Sequence, residues 1–157
     1  MKSYYQVFAW LEGDTSTPSV AMLDRDLGFV QKTFVRAYKK GDKLYWDGHV
    51  RDLSKVTKVA VYLTPAPIDD LVSQDDARSI RQMDEFNASS RSVTWIGFPN
   101  TTPLDSALEH GEDVTGKFIT EPPGKSLGLS GIFNNSWVVT TVTGLLFLLI
   151  TAYFGLG

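Results

Sequence analysis

The C-terminal end of the chain carries its strongest hydrophobic pattern. Residues 137–157 read WVVTTVTGLLFLLITAYFGLG, without a single charged side chain. An α-helix of that length rises by about 31 Å, which matches the hydrocarbon thickness of a bilayer. A buried core helix is the rival interpretation, but such helices are usually shorter and amphipathic. The pattern therefore predicts one transmembrane helix over 137–157.

The predicted transmembrane helix has two different faces when its residues are placed on a helical wheel. Branched aliphatic residues such as Val138 and Val142 fall on one side. Small and hydroxylated residues, which let membrane helices approach and hydrogen-bond, share the other side. They predict an oligomer or pore face of Thr140, Thr143, Gly144, Phe147, Thr151 and Gly155. A helix that only anchors is the alternative, since threonine also bonds to its own preceding turn.

Strand patterns recur in the part of the chain that precedes this helix. Residues 4–10 are rich in aromatic and β-branched side chains, and residues 56–63 alternate as a strand with one buried face does. An Asp-Gly pair between apolar residues predicts a hairpin over 43–50. Residues 93–98 predict a short central strand.

Helical spacing separates these strands. Apolar residues recur at intervals of three and four over 24–38, where Asp24 is placed to cap the start, and again over 68–86. A shorter helix is predicted over 103–110, and a single turn over 113–119. The sequence thus predicts an α+β domain with a small, mostly antiparallel sheet and two or three helices.

The N-terminus decides where this domain is expected to lie. It reads MKSYYQ, which lacks the basic start and apolar run of a secretory signal. We therefore expect a cytoplasmic domain over 1–120, a linker rich in Pro, Gly and Ser over 121–136, and a single pass through the inner (cytoplasmic) membrane. The chain has no cysteine, which excludes disulfides and thiolate chemistry and fits a reducing compartment.

Charge is distributed unevenly along the chain. Nine basic residues stand against four acidic ones over 25–58, whereas five stand against eleven over 59–136. This asymmetry predicts a basic face for an anionic partner. A solvated surface, or contact with anionic lipid headgroups, is the competing interpretation. The candidate ligand-binding residues are Lys32, Arg36, Lys39, Lys40, Lys43 and Arg51.

Motifs for catalysis or metal binding are weak. The two histidines lie far apart in sequence, so His49 is interpreted as an exposed turn residue and His110 as an exposed helix cap, and neither a metal nor a cofactor is expected. Residues 111–117 have the G-x4-G-K spacing of a phosphate-binding loop. Phe118 stands where such a loop needs a hydroxyl for magnesium, so we interpret the segment as a turn and helix start. The sequence does not predict an enzyme.

Short motifs are spread over most of residues 4–124: FVRAYKKG at 34–41, DGHV at 47–50, the strand 59–64, GEDVT at 111–115, FI at 118–119 and PPG at 122–124. Together they resemble a small domain of bacterial conflict and antiphage loci, where it is joined to TIR-type or membrane modules. One departure is Ala37, where the family usually has proline before the tyrosine. The resemblance implies a sensor or adaptor domain on a membrane effector, triggered by a nucleotide signal made during infection.

Two functional hypotheses follow for the whole chain. In the first it is an effector of antiviral defence: the domain forms a homo-oligomer or binds a nucleotide second messenger or a nucleotidyltransferase partner, and the membrane helices associate and permeabilise the lipid bilayer. In the second it is a non-catalytic, tethered binding or adaptor subunit that recruits a partner protein to the membrane. A hydrolytic membrane enzyme is the least favoured hypothesis. The sequence leaves open whether the helices conduct ions or only anchor.

Overall fold

The computed structural model describes residues 3–13 and 17–125. The chain divides into two compact units, Met1–Gly124 and Lys125–Gly157. Within the residues that the structure describes, no helix combines the length and apolarity needed to cross a membrane. The predicted transmembrane helix, its pore face and most of the predicted linker lie outside the described residues.

An antiparallel sheet forms the centre of the first unit. Its four strands stand in the order β2-β1-β5-β6, and every neighbouring pair is antiparallel. A separate hairpin is formed by β3 and β4, and its turn residues Asp47 and Gly48 both have positive φ, as the Asp-Gly signal requires. The strands are β1 (Tyr4–Leu11), β2 (Ser19–Arg25), β3 (Lys43–Trp46), β4 (His49–Asp52), β5 (Val56–Thr64) and β6 (Glu112–Asp113).

Helices cover both faces of this sheet. On one face lie three consecutive helical pieces, α1 (Leu27–Val30), a π-helical turn (Gln31–Val35) and α2 (Arg36–Lys40). On the other face lie α3 (Ile68–Ser89) and α4 (Pro103–His110), and a short α5 (Thr115–Phe118) follows β6. The α+β class with a small antiparallel sheet is therefore confirmed, with about four helices rather than two or three.

Strand β5 is buried on both faces, and the prediction of a single buried face is wrong. Val59 and Val61 join the core under α1 and α2, whereas Ala60 and Tyr62 join the core under α3 and α4. The alternation suggested that the face with Tyr62 is exposed, but the Tyr62 ring is buried edge-on against Phe8.

The first helical region starts later than the sequence predicts. Asp26 is the N-cap, since its carboxylate accepts a hydrogen bond from the backbone N–H of Phe29 at 2.9 Å. Asp24 instead lies in β2, which the sequence did not predict, with a positive φ of 55°. The region ends at Gly41 in the left-handed conformation, as a helix C-terminus favours.

A buried polar cluster ties three strands to the start of α3. The Gln6 side-chain amide donates to Asp24 Oδ1 at 2.8 Å and to Thr64 Oγ1 at 3.0 Å, and its oxygen accepts from the backbone N–H of Asp24. The backbone N–H of Ile68, the first residue of α3, also donates to Asp24 Oδ1 at 2.8 Å. Gln6 is fully buried, so these bonds satisfy an amide that would otherwise be costly to bury.

Residues 93–98 form no strand, and the prediction of a short central strand is wrong. The segment follows α3 without helix, strand or turn, and its apolar side chains are exposed. By contrast, α3, α4 and the single turn α5 form where the sequence predicts them. Helix α4 begins with a capping box in which Thr102 and Asp105 bond reciprocally.

Candidate anion-binding site

A basic cleft of about 410 Å³ lies between the α2 region and α5. Four of its lining residues are basic and none is acidic, which gives the cleft a positive potential. The lining residues are Gln31, Val35, Arg36, Lys39, Lys40, Lys117 and Phe118. We call this feature the basic cleft.

The helix that supplies three of the cations is locally irregular. The backbone N–H of Arg36 donates to the carbonyl of Gln31, five residues earlier, which is the bond of a π turn. Phe34, Val35 and Tyr38 are buried, whereas the three cations of this helix are exposed. Arg36, Lys39 and Lys40 then share one face by their spacing of three and four. Such π turns occur frequently at functional sites.

Lys117 reaches the cleft from the segment that has phosphate-loop spacing. Its ammonium lies 2.9 Å from Glu112 Oε1, and both side chains are largely exposed. The backbone N–H of Thr115 donates to Asp113 Oδ1 at 2.8 Å, and the hydrogen bonds from Thr115 lower the pKa of the Asp113 carboxyl. The segment is thus a two-residue strand, paired with β5, followed by one helical turn. The predicted helix start is confirmed, but a strand stands where a turn was predicted.

An aromatic ring completes the wall of the basic cleft. Phe118 is half-buried and meets the ring of Tyr5 edge-on, with centroids 6.1 Å apart. Phe118 and Val35 add apolar surface to a cleft whose other lining residues are mostly basic. This combination suits a ligand that carries phosphate on one part and a flat apolar group on another.

Three of the six predicted ligand-binding residues line the cleft: Arg36, Lys39 and Lys40. The other three do not line it. Lys32 is exposed on the π turn, Lys43 is exposed on β3, and Arg51 is half-buried on β4. Arg51 Nε is buried without a hydrogen-bond partner among the described residues.

The sequence prediction omitted four residues of the cleft. Three of them, Gln31, Val35 and Phe118, carry no charge, so a count of basic residues could not select them. Lys117 lies in the acidic half of the sequence and was considered only as part of a failed phosphate loop. The glycine-lysine pair that suggested that loop was the available signal for this residue.

A second polar cluster joins α3 to α4 around the buried Asp75. Its carboxylate accepts from the Ser106 hydroxyl at 2.6 Å and from Arg78 Nη2 at 2.6 Å, and His110 Nε2 lies 2.8 Å away. Arg78 also bonds Glu109 at 2.7 Å. Burial alone raises the pKa of Asp75, but the hydrogen bonds from Ser106 and His110 and the nearby positive charges outweigh it, so the pKa lies below its usual value.

The geometry of the Asp75 cluster suits a structural role, joining α3 to α4. Ser106 is fully buried and donates to the carboxylate rather than to the imidazole, so a nucleophile and its base are not paired. Asp75, Glu109 and His110 form the one grouping of three metal-ligand types found in 3–13 and 17–125. The Arg78 guanidinium bonds both carboxylates and supplies the positive charge there.

The two histidines have different environments. His49 is exposed on the hairpin, beside its turn, as the sequence predicted. His110 ends α4, as predicted, but the prediction that it is exposed is wrong, because it is only about a quarter exposed and bonds Asp75. The pairing was hidden in the sequence because 35 positions separate the two residues.

No protein-family model, curated protein or solved structure matches the chain. The resemblance of its short motifs to an antiphage sensor domain therefore stays a prediction. The basic cleft is the feature of residues 17–125 that points most directly to a ligand.

Proposed function

We propose that the chain is a membrane-anchored effector of bacterial antiviral defence whose cytoplasmic domain binds a phosphate-bearing anion in the basic cleft. The observation that carries the proposal is the convergence of Arg36, Lys39, Lys40 and Lys117, without an acidic lining residue, on one cavity. The adjoining Phe118 favours a nucleotide over inorganic phosphate, because an aromatic ring can stack on a base.

The end of the domain offers a route from ligand to membrane. The backbone N–H of Gly124 donates to the carbonyl of Tyr38 at 3.2 Å, and a Cβ added to Gly41 would lie 3.2 Å from Gly124 Cα. The segment that leaves the domain is therefore fastened to the end of α2, the helix that carries three of the cleft cations. If ligand binding shifts α2, Gly124 moves with it, and so does the point where the chain leaves the domain.

The proposal assigns the second step to residues 137–157. They form the transmembrane helix, and the helices of several copies associate through the face that contains Thr140, Gly144 and Thr151. Association permeabilises the bilayer. The uncharged length of the segment and its stripe of small and hydroxylated residues support this assignment.

Charge reversal in the basic cleft tests the ligand step. In the full chain, Arg36→Glu combined with Lys40→Glu is expected to weaken binding of a fluorescent adenine nucleotide by at least about a hundredfold, because each lost charged hydrogen bond is worth roughly 1.5 to 3 kcal/mol. Fluorescence anisotropy measures the loss. The matched control, Lys32→Glu with Lys43→Glu, makes the same charge change outside the cleft and is expected to cost less than about fivefold.

Vesicles separate the two sources of phosphate. The same variants are compared for binding of the nucleotide and for the gain in vesicle attachment when anionic phospholipid is added to neutral vesicles, because residues 137–157 are expected to attach every variant to neutral vesicles. Nucleotide affinity lost only in the cleft variant supports a soluble signal, whereas vesicle attachment lost only there supports a headgroup site. Equal losses in the cleft variant and its control would show general electrostatic attraction and contradict a cleft ligand.

Membrane potential tests the effector step. Expression of the full chain is expected to depolarise cells when the signal is present, and Thr140→Leu with Thr143→Leu and Thr151→Leu is expected to abolish depolarisation by removing the polar face. A potential-sensitive dye reports the result. Val138→Leu with Val142→Leu, on the opposite side, is the control. If the threonine variant depolarises cells as strongly as the original, the permeabilisation step is wrong. If replacing residues 137–157 with an unrelated membrane anchor preserves function, the tethered-adaptor hypothesis is favoured over the effector hypothesis.

A further inference from the structure

Segment 93–98, between α3 and α4, presents large apolar side chains to solvent. Ile96 is 88% exposed and Phe98 is 96% exposed, and more than half of Val93 and about half of Trp95 are exposed as well. Contiguous exposed apolar surface of this kind marks an interaction site in soluble domains. We call residues 93–98 the open segment.

The open segment is held to α3 through one backbone position. Asn87 Nδ2 donates to the Trp95 carbonyl at 2.9 Å, and the Trp95 N–H donates to Asn87 Oδ1 at 2.6 Å. One side-chain amide can bond both groups only where they point to the same side, which is the extended conformation of a strand residue. The Trp95 ring also meets Phe86 of α3 edge-on at 6.1 Å.

The opposite edge of the open segment is unpaired. In an extended chain the backbone groups of successive residues point to alternate sides. If Trp95 faces α3, then Thr94 and Ile96 face away from it. Among the described residues, no hydrogen bond reaches the backbone N–H or C=O of Thr94, Ile96 or Phe98. The segment therefore offers the free edge of a strand.

Its composition suits strand pairing. The letters VTWIGF combine β-branched and aromatic residues, and Gly97 does not have the positive φ that would break a strand. A Cβ added to Gly97 would have Trp95 Nε1 as its nearest neighbour, at 3.8 Å. Glycine within a strand permits another backbone to approach closely.

We propose that the open segment pairs antiparallel with the same segment of a second copy of this chain. The exposed parts of its four large side chains amount to roughly 500 Å² per copy for groups of this size. Stable interfaces take about 800 Å² from each partner, and backbone pairing plus the half-exposed Phe86 supply part of the remainder. Tethering in a membrane, where the proposed function places the chain, raises the local concentration and favours an interface of this size.

We place the two-fold axis of the pair at Ile96, the middle one of the three outward-facing residues, because this register pairs all three of them. The outward-facing groups then exchange hydrogen bonds between Ile96 and its copy, and between Thr94 and Phe98 of opposite copies. Residues paired in this way have Cα atoms about 5.5 Å apart, which lies inside the range of about 4.4 to 6.8 Å that a disulfide bridges.

Cysteine crosslinking tests this register, because the full chain has no cysteine of its own. Ile96→Cys, in membranes under mild oxidation, is expected to form a disulfide-linked dimer about ten times faster than Val50→Cys. Val50 is the matched control because it is 66% exposed on the separate hairpin. Adding Phe98→Asp to Ile96→Cys is expected to slow crosslinking to the control rate.

Three results would overturn the proposal. Equal crosslinking rates for Ile96→Cys and Val50→Cys would show random encounter in the membrane. An adduct with a mass other than twice the chain would assign the segment to a different protein. If no dimer forms and vesicles protect the thiol at position 96 from a water-soluble maleimide, the open segment contacts lipid instead. Phe98→Asp alone should leave nucleotide binding at the basic cleft unchanged, because Phe98 does not line it, so a failed interface and a failed cleft ligand are distinguishable.

Discussion

Phe34→Ala is expected to lower the free energy of unfolding of the domain by about 3 to 5 kcal/mol, the range for truncating a buried phenylalanine. Phe34 is fully buried and stacks on Tyr38 with centroids 6.0 Å apart. Its removal leaves a cavity under the π turn, between the helix and the sheet. Urea denaturation of the full chain in detergent, followed by tryptophan fluorescence, measures the change.

The control for this variant lies on the same helical region. Phe29 is 42% exposed, and the Arg25 guanidinium carbon lies over its ring, 5.1 Å from the ring centroid. Phe29→Ala is therefore expected to cost less than about 1 kcal/mol. Equal costs for the two variants would mean that the π turn does not anchor the helix in the core.

Asp75→Asn is expected to destabilise the domain by about 2 to 3 kcal/mol at pH 7, because it removes the charge that Arg78 and His110 face while leaving the buried site polar. Asp84→Asn, on the exposed side of α3, is the control and is expected to change stability by less than about 0.5 kcal/mol. Urea midpoints of both variants, compared with the original chain, measure the effect. A neutral Asp75→Asn would mean that the cluster does not hold α3 against α4.

The effect of Asp75 is expected to depend on pH in one direction. Its pKa is lowered in the folded protein, so the unfolded chain binds more protons between the folded and unfolded values. The contribution is fully present above the ordinary aspartate pKa of about 3.9 and is lost as pH falls through the folded value. The difference between Asp75→Asn and the original chain should therefore narrow below about pH 4.

The sequence was most informative where structure depends on near neighbours. Strand β1, the hairpin with its Asp-Gly turn, β5, α3 and α4 all lie where local patterns placed them. Strand β2 was missed because its letters, SVAMLDR, do not alternate, and pairing with β1 is what makes it a strand. The open segment has strand composition, yet a strand also requires a partner.

Candidate sites were predicted less well, because they bring distant residues together. Three of the predicted ligand-binding residues, Arg36, Lys39 and Lys40, lie together in the basic cleft, since one helix spaces them on one face. Lys117 joins them from about 80 positions further along, on a helical turn placed by strand pairing to β5. The Asp75 cluster was missed for the same reason.

The buried amide of Gln6 has a consequence for how this domain assembles. Its oxygen and nitrogen reach β2 and β5, and the Asp24 that it holds also accepts from the backbone N–H of Ile68, the first residue of α3. That acceptor is in place only once β1, β2 and β5 have come into register across up to 58 positions of chain. The start of α3 and the pairing of these three strands therefore form together. A shift of β1 by one residue would break the bonds of Gln6 to Asp24 and leave the first N–H of α3 without its acceptor.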